Sequence, residues 1–395
     1  MTKRTALKKL VYETCKNFEP FKRAYVKRTI RKVTRQMFYE KEVAVAELDD
    51  ERRRELVKNA LLHWPEREKE LNERIEQIFR ATYAEESDAS LAELREDMLF
   101  CFFAYGFSPN EYVSYELRDK TPQERKEFVS DRLSVCIGYR MNDFAQLDIY
   151  MDKMQTYERF KPYYGRKAVC IASDADYPGF LEFISNHPTF VKKQVNQFCG
   201  RSVELVDWAR INRTEQDVFR SILAEGKSIL EEIVVQSDDI AQLNASSVNT
   251  IRCITLNTKS GIRIPYCFMK IGRKGSFIDN GGAGGILVGI DVSSGRLVTD
   301  GVDEMGRRYA THPDSGVTFH GLQLPEWKKM LEICRHISAQ TPKIRFIGWD
   351  MAHTAKGWIV IEGNGLSELI GPQSTFLRGC KSELYGYMND MDLII

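Results

Sequence analysis

The chain lacks any run of about 18 apolar residues, so no segment reads as a transmembrane helix. Its start, MTKRTALKKLVYETCKNF, has no apolar block of roughly 7–15 residues and no small-residue cleavage site, and so does not read as a secretory signal. No two cysteines form a Cys-x-x-Cys pair: Cys15, Cys101, Cys136, Cys170, Cys199, Cys253, Cys267, Cys334 and Cys380 stand apart. That disfavours a zinc site and, with an odd count and no export signal, points to reduced thiols in a cytoplasmic protein. There is no internal repeat and no low-complexity tract. Net charge is nearly absent, at +1, which excludes a globally basic nucleic-acid binder. With 12 Pro and 26 Gly in 395 residues and 43% hydrophobic content, the chain is neither collagenous nor wholly disordered.

The near-zero charge conceals an asymmetry. Residues 1–39 hold 12 Lys/Arg against Glu13 and Glu19, whereas the remainder holds 45 basic against 54 acidic residues. A basic arm precedes a mildly acidic body. Cationic amphipathic helices attract anionic surfaces, so weak contact of the arm with a membrane surface is one reading. Packing of its apolar face on the body is the other.

Helical spacing dominates the first third. Leu56, Ala60, Leu71, Ile75, Ile78 and Phe79 form an apolar stripe through a highly charged stretch. DASLAELREDMLFCFFAYG reads as a helix capped by Ser90 and stopped by Gly106, and SPNEYVSYELRDKTPQERKEFVSD as turns and short helices. The pattern changes near residue 145. AVCIAS and TFVK read as short strands around a helix, and EGKSILEEIVVQ as another strand. NTIRCITLN, IPYCFMKIG, GGILVGIDV and RLVT make a β-rich stretch, PEWKKMLEICRHISAQTP a helix, and IRFIGWDMAHT with GWIVIEGN two strands joined by AKG. The body is therefore expected to be α+β.

Three oxygen-bearing side chains stand on those last two strands: Asp350, Glu362 and Asn364. Glu362 and Asn364 are two apart and share a strand face. Hard oxygen ligands of this kind suit Mg²⁺; a polar hairpin is the competing reading. Upstream come Lys153, then Lys192 at the end of TFVK before a loop closing on Gly200, then the acidic pair Glu231 and Glu232 in an apolar strand. Arg252 lies between apolar strand residues and is expected to point into a cleft. Lys270 and Arg273 are the other cations suited to phosphoryl chemistry, a solvated strand face being the alternative. Seven Gly in residues 272–289 permit close backbone approach to a ligand or make tight hairpins, with Asn280 able to donate an amide hydrogen bond. His312 and His353 could orient a substrate, act as a base, or be structural.

This ordered set resembles the ATP-grasp superfamily, of which D-alanine–D-alanine ligase is a relative. HPDSGVTFHGLQLPEW, IGWDMAHTAKGWIVIEGN, SSVNTIRCITL and IDNGGAGGILVGID are similar to the sugar-transfer-associated ATP-grasp proteins. The resemblance implies two α+β subdomains, at 145–240 and 241–395, sandwiching ATP behind a helical region, 1–144. It implies that Lys153 and Lys192 contact ATP, that Glu231 binds the adenine amino group, that Val234 supplies backbone contacts and that Asp238 meets the ribose. Asp350, Glu362 and Asn364 would hold Mg²⁺, and loop 194–200 would be a phosphate lid. The implied activity is an ADP-forming carboxylate–amine ligase acting on small molecules in sugar, polysaccharide or natural-product modification. A small-molecule kinase and a non-catalytic membrane-surface or adaptor protein are the alternatives. In D-alanine–D-alanine ligase an Arg stands two residues before the metal Asp; here that position is Gly348. The oxyanion role then falls to Arg252, Arg345 or Lys270, or is absent.

Overall fold

This computed structural model describes residues 20–393, except 22, 23, 26, 29, 30, 32–34, 39–42, 196–202, 274, 280, 282 and 283. The first 19 residues of the basic arm, Asn280 and most of the proposed lid loop therefore lie outside the described residues.

Helices come first: α1 (Asp50–His63), α2 (Pro65–Thr82), α3 (Asp88–Tyr105), α4 (Pro109–Ser114), α5 (Pro122–Glu127), α6 (Asp131–Met141), α7 (Phe144–Met151) and α8 (Lys153–Tyr164). The stripe Leu56, Ala60, Leu71, Ile75, Ile78 and Phe79 is buried as expected, against Met98, Phe100 and Phe103 of α3. Ser87, not Ser90, caps α3: its side chain accepts from the Ser90 N–H. Gly106 ends that helix at a left-handed φ of 82°, a conformation glycine adopts without a Cβ clash. Capping boxes Ser108/Glu111 and Thr121/Glu124 start α4 and α5.

Then follow β1 (Ala168–Ile171), α9 (Tyr177–Asn186), β2 (Thr189–Gln194), β3 (Glu204–Asp207), α10 (Glu215–Glu225), β4 (Ser228–Glu232) and α11 (Asp238–Ala241). Next are β5 (Thr250–Thr258), β6 (Gly261–Ile271), β7 (Ile286–Asp291), β8 (Arg296–Leu297), β9 (Gly301–Val302), β10 (Arg308–Tyr309), α12 (Trp327–Ala339), β11 (Phe346–Thr354), β12 (Gly357–Asn364), α13 (Ile370–Phe376) and α14 (Lys381–Asp390). The described strands make two sheets. One is four-stranded, β1-β4-β2-β3; the other is eight-stranded, β10-β9-β7-β6-β5-β11-β12, with β8 on β7.

Strand alternation explains how the large sheet creates a site. Ile251, Cys253, Met269, Ile347, Trp349 and Met351 face one way, into a core shared with Met330, Cys334 and Ile337 of α12. On the opposite face Leu256, Ile254, Phe268 and Phe346 pack with Ile137 of α6 and Leu384 and Met388 of α14. Two residues further along that same face stand Arg252, Lys270 and, beyond Gly348, Asp350. The apolar end is covered by helices; the charged end lines the cleft. The helical region holds the sheet through Thr82, which donates to the Met305 carbonyl at 2.7 Å, and through the Arg308–Glu116 pair. Among the described residues no helix is long and apolar enough to cross a membrane.

Candidate active site

A cleft of about 710 Å³ lies between the two sheets. The small sheet contributes Val191, Lys193, Glu231 and Glu232, and the large sheet Thr250, Arg252, Lys270, Asp350, Glu362 and Asn364. Residues 233–236 form the hinge between them, and Lys153 stands at the start of α8. Of the residues expected from sequence, Lys153, Glu231, Glu232, Val234, Asp238, Arg252, Lys270, Asp350, Glu362 and Asn364 all line this one cleft.

Within it the buried Asp350 is the electrostatic centre. Arg252 Nε and a guanidinium nitrogen donate to its two oxygens at 2.5 and 2.9 Å, and Lys270 Nζ donates at 2.9 Å. Arg252, Asp350 and Glu362 are directly opposite one another across β5, β11 and β12. Burial opposes the Asp350 charge, yet Arg252 and Lys270 hold the carboxyl well below the usual carboxylate range. Burial likewise opposes the cations, and the acids around them keep Arg252 and Lys270 protonated. Asp279 accepts from the Thr250 N–H at 2.8 Å and lies 3.9 Å from Lys270; burial raises its pKa.

Gly348 explains where the guanidinium comes from. A Cβ there would fall 2.6 Å from Arg252 Cδ and 2.3 Å from Ser367 Oγ. The missing side chain lets Arg252 cross from β5 to Asp350, so the neighbouring strand delivers the cation. Arg345 does not share the role: it donates to the Met391 carbonyl, away from the cleft.

The small sheet carries a second paired acid. Glu231 is bound by Arg166 at 3.0 Å and by Lys193 at 2.5 Å. Burial would raise its pKa, but these two cations bring it down to about 2. Arg166 also donates to the Val360 and Ile361 carbonyls, at 2.7 and 2.9 Å, where β12 bulges opposite the Asp350/Met351 step. It thus bolts the hinge strand to the strand bearing Glu362. Burial lowers the pKa of Lys153, against the opposing charges of Glu362 and Glu231.

Four sequence expectations need correction. Lys192 points away from the cleft. Phe190 is buried in the core beside α9, and two residues on Lys192 shares that side, donating to Glu225 at 2.7 Å and pairing with Glu204 at 2.9 Å. Lys193, one residue later, faces the cleft instead. Arg273 is turned toward Asp314 at 3.0 Å, and His312 is fully buried, accepting N–H bonds from Asp314 and Ser315 in the same turn. Neither lines the cleft. His353 lies three residues past Asp350, on the core side of β11, and bonds Ser237. Sequence reasoning also missed Lys193, Arg166 and Asp279. The apolar Phe190, which sets the core parity of β2, was the signal for Lys193; a basic pair before a strand gave none for Arg166.

Asp350, Glu362 and Asn364 fit a hard cation as a donor set. The Asn364 amide N–H group donates to both carboxylates, at 3.4 Å to Asp350 and 3.3 Å to Glu362, so the three oxygen-bearing side chains stand side by side. Among the described residues there is no group of three His, Cys, Asp or Glu side chains that could hold a metal; this set is two carboxylates and an amide.

Two antiparallel-paired sheets closing on a charged cleft, joined by an acidic hinge strand, are the ATP-grasp fold. Residues 183–384, half of the chain, match the family described as sugar-transfer associated ATP-grasp, and the protein belongs to that family. Solved structures with a similar fold include the ADP complex of N5-carboxyaminoimidazole ribonucleotide synthetase (11% identity over 57% of this chain and 47% of that one, TM-score 0.37). The ATP-grasp ligase PsnB with its minimal precursor is another (9%, 68% and 71%, TM-score 0.40). A third is D-alanyl-alanine synthetase A from Vibrio cholerae O1 biovar eltor (10%, 62% and 65%, TM-score 0.39). The chain spans about half the length of the first of these. No curated protein matches it.

Proposed function

We propose that the protein is an ATP- and Mg²⁺-dependent carboxylate–amine ligase that forms an amide through an acyl phosphate, acting on a small molecule in sugar, polysaccharide or natural-product modification. The observation that carries this reading is Asp350 set between Arg252 and Lys270, with Glu362 and Asn364 beside it, in a cleft with a backbone hinge. The base lies against Ile233, Val234 and Val235, and Lys153 and Lys193 meet the phosphates. Asp350, Glu362 and Asn364 would hold the metal, which neutralises charge on the transferring phosphoryl group.

In the first step a carboxylate oxygen of the donor attacks the γ-phosphorus and ADP leaves. In the second the amine nitrogen attacks the acyl carbon, phosphate departs and the nitrogen loses a proton. Arg252 and Lys270 are fixed cations in a water-poor site, suited to charge that builds on the moving phosphoryl group and on the tetrahedral oxyanion. Asp350 orients both before substrate arrives. The test is a screen of carboxylate and amine pairs by ADP release, with product mass. Amide product with ADP supports the ligase; a stable phosphorylated product formed without an amine would replace it with a kinase. Asp350→Asn and Glu362→Ala should each abolish turnover, and retained activity would remove the metal assignment.

A further inference from the structure

The hinge leaves β4 at Glu232, with Ile233 and Val234 half-buried and Val235 75% exposed. Its position is set where the chain is caught again. Gln236 bridges Thr354 and donates to the Asn244 and Ser247 carbonyls at 2.8 and 2.6 Å, while accepting from the Asn249 N–H. The Ser237 N–H donates to the His353 carbonyl at 2.8 Å, and Ser237 Oγ meets His353 Nδ1 at 2.7 Å. The His353 ring is buried, edge-on to Trp358 at 4.9 Å between centroids, and its Nε2 lies 3.6 Å from the Glu326 carboxylate. The ring is therefore held on three sides, and its one short side-chain hydrogen bond goes to the end of the hinge.

Resting on the nucleotide reading above, we infer that His353 is a positioning residue: through Ser237 it sets the hinge backbone at residues 233–235 that takes the nucleotide base. It does not transfer protons in the reaction. Its parity on β11 puts it on the face opposite Asp350, so it reaches the hinge only through Ser237. Residues 233–235 lie outside the strands and owe their conformation to the anchors at either end, and backbone groups recognise a base edge only when held in place.

The test is equilibrium binding of Mg²⁺–AMPPNP and of Mg²⁺–tripolyphosphate, which has no base or ribose, to the full chain and its variants. His353→Ala and Ser237→Ala should each weaken AMPPNP by about tenfold, the scale of one buried hydrogen bond, and leave tripolyphosphate unchanged. The double variant should be no weaker than either single one, because both remove the same bond. His353→Asn, whose amide reaches the Nδ1 position, should restore AMPPNP binding; His353→Gln, which reaches toward Nε2, should not. Equal weakening of both ligands, no weakening of either, or additive losses would overturn the inference while leaving the nucleotide site standing. Should His353→Ala fail to fold, Ser237→Ala carries the test, since it keeps the imidazole packed on Trp358. If the unaltered protein binds tripolyphosphate but not AMPPNP, the nucleotide reading itself fails and takes the inference with it.

Discussion

The two ends of one face of the large sheet are built to the same plan and do opposite things. On β5, β6 and β11 that face runs from Leu256 and Ile254, Phe268, and Phe346 at one end to Arg252, Lys270 and Asp350 at the other. The first end is dry beneath α6 and α14; the second opens on the cleft. Burial of the apolar end anchors the strands. That anchoring holds two cations within 3 Å of one carboxylate, an arrangement that isolated surface charges do not keep. The site is the uncovered continuation of a core.

That comparison can be broken at either end. The largest effect is expected at Asp350. Its replacement by Ala leaves Arg252 and Lys270 buried without their counter-charge and should lower stability by about 3–5 kcal/mol as well as abolish turnover, read by urea denaturation and ADP release. At the other end Leu256→Ala should cost about 2–5 kcal/mol through the cavity it leaves, yet the folded protein should bind AMPPNP as before. If Leu256→Ala weakened nucleotide binding, the two ends would not be separable.

The paired acid of the small sheet gives a pH test. Glu231 titrates at about 2 when folded, below its ordinary value of 4.5. The stability it contributes is therefore fully present above about pH 5 and is lost as pH falls toward 2. Glu231→Gln should flatten that acid limb, followed by thermal unfolding across the range. The smallest expected effect separates neighbours on β2. Lys193→Ala should weaken AMPPNP by about tenfold, the scale of one charge-assisted contact, whereas Lys192→Ala should change stability but not AMPPNP affinity.

Much of this was legible in the sequence because it rests on periodicity. The helical stripe from Leu56 to Phe79, the β5–β6 and β11–β12 hairpins and the grouping of Asp350, Glu362 and Asn364 follow from repeat lengths and turn residues. The misplacements are errors of facing. Lys192 and His353 sit on the elements where they were expected, but on the wrong side. Arg273 and His312 sit near the site in the chain and were drawn into a separate turn. Arg166 had no signal, because its task is to satisfy carbonyls of a bulge in β12, nearly 200 residues away.

The sequence by itself determined which residues share a strand face, since side chains alternate with a period of two whatever surrounds them. Arg252 must stand with Ile254, Lys270 with Phe268, and Lys192 with Phe190. Only the tertiary structure decided which of those faces is covered and where the covering stops. α6 and α14 close one end of the large sheet, α9 and α10 close the Phe190 side of the small one, and the glycine at 348 leaves the space through which one strand's arginine reaches the next strand's aspartate.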